Sequence, residues 1–191
     1  MSSTGTCPGD VAYEAVYKYG YPGPSCCVAS RTTYVRINVY FSDPIIRNFL
    51  QNVNFHYYMI HPKSFVREYH IWWEDRTKGR PLGLEWTSLL LMVCACSTLF
   101  PSTKLQKRLE RNLGDSCETL SEKFHTTGRA LHSAVPIGNN HIFKVLKLVH
   151  SCYWFKSEAR LGEAWHVLDA AIREAQELRK SRISYGGLRL N

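Results

Sequence analysis

Between Gly162 and Leu178, the residues Ala164, Leu168, Ala171, Ala175 and Leu178 recur at spacings of 4, 3, 4 and 3. That rhythm sets them on one stripe of an α-helix and leaves Glu163, Arg173, Glu174 and Glu177 mostly off it. Trp165 and Ile172 sit one step round and widen the stripe, so this helix is expected to press against several neighbours, which its alanines allow to come close. A segment of this kind is a packing element, and it commits its part of the chain to helix-on-helix architecture.

The rest of the chain is punctuated to match. Ser42 or Asp43 reads as an N-cap with Pro44 at the first helical position, followed by Ile45, Ile46, Phe49, Leu50 and Val53 at helical spacing. Pro62 forces His61 out of the α region and opens a helix through Tyr69 to Trp73, after which Lys78, Gly79, Arg80 and Pro81 make a surface turn. Leu84 to Leu99 has almost no polar face and is expected to be the most buried helix. Pro101 ends it, and Lys104 to Leu113 follows, with Leu105 and Leu109 inward and Gly114 as its stop. Asp115 with Glu118 resembles a capping box for a helix carrying Cys117, Leu120, Phe124 and Leu131. After the break at Pro136, Gly138 and Asn139, His141 to Phe155 is expected to bury Ile142, Val145, Leu146, Val149 and Tyr153.

These segments predict an all-α fold, an array of six to seven amphipathic helices packed in pairs over residues 42–178. Residues 1–41 read as an irregular leader, with a short strand allowed over 31–41 by the alternation of Thr33, Val35, Ile37, Val39 and Phe41. Residues 179–191 read as a basic flexible tail. The tail carries Arg179, Lys180, Arg182 and Arg189 with no acid, half of the net charge of +8, so the helical body is only mildly basic.

Residue chemistry argues against most reaction classes. Seven cysteines and eight histidines invite a metal, yet Cys26 and Cys27 are adjacent, Cys94 and Cys96 fall on opposite helix faces, and no C-x-x-C or H-E-x-x-H occurs. No G-x-S-x-G elbow serves Ser64, and a thiol inside the apolar helix is inert. Glu74 and Asp75 read as a solvated helix end, and Gly186 and Gly187 open no phosphate loop. No cofactor, metal or catalytic residue is therefore expected. The odd cysteine count, the absence of an apolar start after Met1, and a longest apolar run of eight residues (Leu89 to Cys96) argue for a soluble intracellular protein.

Three segments carry a resemblance: FLQNVNFHYYMIHPKSFVREYHIWW, PLGLEWTSLLLMVCACST and LHSCYWFKSEARLGEAWHVLDAAIREAQEL, with the motif of His61, Pro62 and Phe65, the leucine-rich helix, and Ala164, Trp165, Ala171, Ile172 and Ala175. In their order they resemble the middle homology region of fungal zinc-cluster transcription factors, the fungal-specific transcription factor domain, over roughly residues 44–178. The resemblance implies a nuclear, non-enzymatic regulatory domain. In such proteins a separate cysteine cluster holds zinc and reads DNA. That cluster's pattern cannot be laid on Cys7, Cys26, Cys27, Cys94, Cys96, Cys117 and Cys152, so sequence-specific DNA binding by this chain alone is expected to be absent.

The C-terminal end departs from the family, and the domain reads as cut short there. That would leave an apolar patch for self-association or a partner helix. Protein partners or a small effector are the expected ligands, and no membrane contact is expected. A different class of function, a ligand sensor or cryptic enzyme, would use an inter-helix pocket lined by Tyr57, Tyr58, Trp72, Trp73 and Trp165. A truncated product without independent activity is a third reading.

Overall fold

The computed structural model describes residues 39–133 and 141–186, with side chains over 42–131 and 141–180. All regular elements among the described residues are helical: α1 (Val39–Asn48), a π-helical turn (Phe49–Val53), α2 (Asn54–Tyr57), α3 (Pro62–Thr77), α4 (Leu84–Leu99), α5 (Thr103–Leu113), α6 (Cys117–Ser133), α7 (Ile142–Ser157) and α8 (Leu161–Gly186). The first three run on as one helix, so the all-α array has seven. No single helix among the described residues is long and apolar enough to cross a membrane.

The centre of the array is α4, whose residues from Trp86 to Thr98 are all buried. It can be apolar all round because α1, the π turn, α6 and α7 each pack on it. Its small hydroxyls fasten these neighbours from inside. Ser97 Oγ donates to the Ile45 carbonyl of α1 (2.7 Å), and Ser88 Oγ to the Gly128 carbonyl of α6 (2.6 Å). Ser121 of α6 returns a bond to the Ala95 carbonyl (2.8 Å) and accepts one from the Trp154 indole of α7 (2.8 Å). At Gly128 the α4 and α6 backbones come so close that a Cβ there would lie 3.1 Å from Met92 Cε, 3.2 Å from Leu91 Cβ and 3.3 Å from the Ser88 carbonyl.

Several boundaries follow local chemistry. His61 is extended (φ −74°, ψ 114°) before Pro62 at the start of α3, and its ring accepts from the Ser64 amide. Gly79 (φ +64°) turns the chain after α3, and Gly114 (φ +75°) ends α5 in the left-handed region that favours glycine. After α4 the chain bends by 115° through Pro101 into α5, where Ser102 accepts from the Leu105 amide.

Other expectations are corrected. α1 already runs from Val39, so residues 39–41 are helical and not strand, while the remainder of the allowed strand and the leader lie outside the described residues. Pro44 falls inside α1, and Ser42 and Asp43 do not cap it. Lying in the second turn, they face α3, where the Tyr69 hydroxyl donates to Asp43 (2.6 Å) and meets Ser42 Oγ (2.6 Å). Ser116 takes the capping role expected of Asp115, accepting from the Thr119 amide at 3.2 Å, while Asp115 pairs with Lys123 at 2.7 Å. The last helix continues to Gly186, because Gln176 to Arg182 are mostly straight-chain helix formers and no Gly or Pro intervenes; residues 187–191 lie outside the described residues.

The two C-terminal helices differ most from expectation. α7 buries Lys147, His150, Ser151, Trp154 and Phe155, leaves Val145, Leu146, Val149 and Tyr153 half-buried, and exposes Ile142. It packs on α4 and α8 at once, so its best-covered strip is not its most apolar one. α8 packs chiefly on α7, burying Ala164 and Ala171 there, while Trp165 (71% exposed), Ile172 (50%) and Ala175 face outward. The single broad contact replaces the several expected neighbours.

A cleft between α6, α7 and the start of α8

The polar strip that α7 turns inward builds the most constructed site among the described residues. α6 supplies His125, Thr126, Arg129 and Ala130, α7 supplies Lys147, Leu148 and Ser151, and Arg160 and Val167 close the end where α8 begins. The cleft between them has a volume of about 500 Å³. At its floor His125 lies flat on Trp154 (centroids 3.8 Å apart, planes 10° apart) and shares a hydrogen bond with Ser151 Oγ at 2.9 Å. At its mouth two guanidiniums approach one ring: Arg129 lies 5.4 Å and Arg160 4.8 Å from the Phe155 centroid.

The electrostatics are those of buried bases. Burial, with Arg129 and Arg160 nearby, lowers His125 to about 3. Burial lowers Lys147 to about 8, with Glu85 and Glu174 opposing and Lys144 assisting that shift. The Ser151–His125 pair has the spacing of a hydroxyl and its base, yet burial makes the imidazole a weak base. The pair acts as a buried bridge between α6 and α7. A second, more open groove of about 630 Å³ lies between α1 and α5 and includes Arg47, Lys104 and Arg108.

The residues singled out from sequence do not assemble into one site. His61 and Pro62 form the head of α3, and Phe65 is buried and stacked on Trp86 (5.7 Å). Ala164 and Ala171 lie in the α7 contact, and Trp165, Ile172 and Ala175 lie outside it. The aromatic pocket of the alternative reading is not formed as such: Trp72 and Trp73 meet edge-on (5.0 Å), Tyr57 packs on Tyr153 (5.4 Å), and Tyr58 and Trp165 are exposed. Sequence reasoning missed the cleft because its markers, His125, Lys147 and Ser151, are polar residues expected outside; Lys147 and Ser151 share a face of α7 by their spacing of four, but nothing in the sequence joins them to His125 on α6.

The described residues do not fit a zinc cluster. No group of three or more Cys, His, Asp or Glu among them could hold a metal ion, and Cys7, Cys26 and Cys27 lie outside the described residues. Cys94 and Cys96 are fully buried in α4, and burial pushes Cys94 up to about 12 and Cys96 higher still. Thiols held protonated by burial in this way are poor nucleophiles near neutral pH.

Comparison with known proteins gives two similarities. The chain is 28% identical over 142 residues to "Probable transcription factor sol4" of Alternaria solani, covering 71% of this chain and 25% of that protein. It is 23% identical over 141 residues to "Transcription factor xilB" of Penicillium rubens, covering 71% of this chain and 20% of that protein. Both similarities support a relation to fungal transcription factors. The chain spans a quarter or less of the length of these relatives. No family model and no solved structure matches it.

Proposed function

We propose that this chain is a helical regulatory module of the fungal transcription factor type, acting in the nucleus through protein contacts or a small effector, without a reaction of its own. The observation that carries the reading is the similarity over 71% of the chain to two proteins named as transcription factors. The all-α array with a buried leucine-rich helix is consistent with the region that the sequence resembles. Sequence-specific reading of DNA is left to other parts of such regulators, since the described residues offer no zinc cluster.

Two measurements test this. Fused to a heterologous DNA-binding domain, the chain is expected to change reporter output in a fungal host; output identical to that of the DNA-binding domain alone would count against it. The isolated chain is expected to bind duplex DNA weakly and only at low salt. Sequence-selective binding that survives physiological salt would overturn the division of labour.

A further inference from the structure

The α6–α7–α8 cleft differs from the α1–α5 groove in how it is built. Three of its polar side chains, His125 (3% exposed), Lys147 (2%) and Ser151 (3%), are buried within the fold. Positive groups from three separate places converge on it: Arg129 from α6, Lys147 from α7 and Arg160 from the α7–α8 turn. Carboxylates stand near two of the three, and Arg129 is the one they leave unpaired among the described residues. Glu122 lines the cleft, Glu163 pairs with Arg160 at 2.8 Å, and Glu85 and Glu174 act on Lys147. Arg129 has the Phe155 ring as its contact, with no carboxylate on its N–H groups among the described residues. Ala130, Leu148 and Val167 complete the wall with apolar surface.

We propose that this cleft binds a small organic carboxylate, with the carboxylate held between Arg129 and Arg160 and the apolar body against Ala130, Leu148 and Val167. A guanidinium fork matches a carboxylate in two parallel hydrogen bonds; Arg129 offers such a fork, and Arg160, with Nε and one Nη on Glu163, adds its remaining N–H groups. The volume of about 500 Å³ is that of a small-molecule site, and the mix of polar and apolar walls suits a ligand charged at one end only. Thr126 adds a hydroxyl at the rim, while the Ser151 hydroxyl is already engaged by His125. The inference deepens the effector half of the regulatory reading and rests on it for biological meaning, but binding itself is measured on the chain alone.

Isothermal titration of the full chain with sodium octanoate tests it, with 1-octanol as the uncharged counterpart and inorganic phosphate as the anion without an apolar body. Octanoate is expected to bind with a Kd of roughly 0.1–1 mM, at least about tenfold more tightly than octanol or phosphate, and to raise the unfolding midpoint with concentration. Arg129→Gln and Arg160→Gln are each expected to weaken binding by about tenfold or more. Ala130→Trp, an exposed position on α6, fills the cleft with both charges in place and is expected to abolish binding in a protein that still unfolds cooperatively. Arg47→Gln, in the other groove, is expected to bind like the parent chain. No binding of octanoate, equal binding of octanol or phosphate, or undiminished binding by the two cleft arginine variants would overturn the proposal. None of those outcomes touches the reporter assay, so the two readings fail separately.

Discussion

Asn48 is a polar residue with a core residue's burden. Its Nδ2 lies 3.1 Å from the Ser97 carbonyl, the Ser97 hydroxyl and the Phe100 carbonyl, while its Oδ1 accepts from Asn52 (2.9 Å) and the Ser102 amide (3.3 Å). It thus ties α1 to the end of α4 and the start of α5. Asn48→Ala is expected to cost about 3 kcal/mol in urea unfolding, because it strands several buried partners at once. The buried imidazoles set an acid limit. Burial lowers His125 to about 3 and His150 to about 4, against about 6.5 in the unfolded chain. Below about pH 6.5 the unfolded chain takes up protons that the folded one refuses, so stability present at neutral pH is lost as pH falls. The expected loss by about pH 5 is on the order of 2 kcal/mol per imidazole, and His150→Leu is expected to flatten the slope measured by urea titration at several pH values. None of the three was legible in the sequence, where an asparagine or histidine on a helix reads as a solvated group. Their roles depend on what lies opposite, which periodicity does not encode.

Among the elements, the starts of α3 and α4 and the ends of α4 and α5 were legible, since His61-Pro62, Pro101 and Gly114 act through their own backbone geometry. The start of α1 was not, because Pro44, which lacks the N–H of a helix interior and so reads as a helix head, stands sixth in α1, and Ser42 and Asp43 are used on Tyr69. The face of α7 was misjudged for a packing reason: a helix held between two others buries the strip they share. The α4–α6 crossing gives a sharp test. On an open helix Gly128→Ala would add about 1 kcal/mol of stability. Here the new methyl meets the Leu91 Cβ and the Ser88 carbonyl, both fixed to the α4 backbone, so a net cost of about 1 kcal/mol is expected. Gly128→Leu, which must separate the two helices, is expected to cost about 3 kcal/mol or more by the same measurement.

Taken whole, the molecule is graded from a central helix on which α1, the π turn, α6 and α7 all pack to a final helix that leans chiefly on one neighbour. Amide exchange is expected to follow that gradient, fastest along α8 and slowest in α4. Its indoles divide in the same way. Trp154, 3% exposed and bonded to Ser121, is expected to cost about 3–5 kcal/mol when replaced by Ala. Trp165→Ala is expected to change the unfolding free energy by less than about 0.5 kcal/mol. The all-α class and the buried central helix were legible because they rest on hydropathy alone, whereas the cleft rests on which polar residues the packing happens to gather. Trp165 gives the outward side of α8 a native optical reporter: with Trp72, Trp86 and Trp154 buried and Trp73 half-buried, it is the exposed indole and its emission responds to whatever settles there. A blue shift on adding a candidate protein, absent in Trp165→Phe, would therefore mark an encounter at that surface without any attached dye.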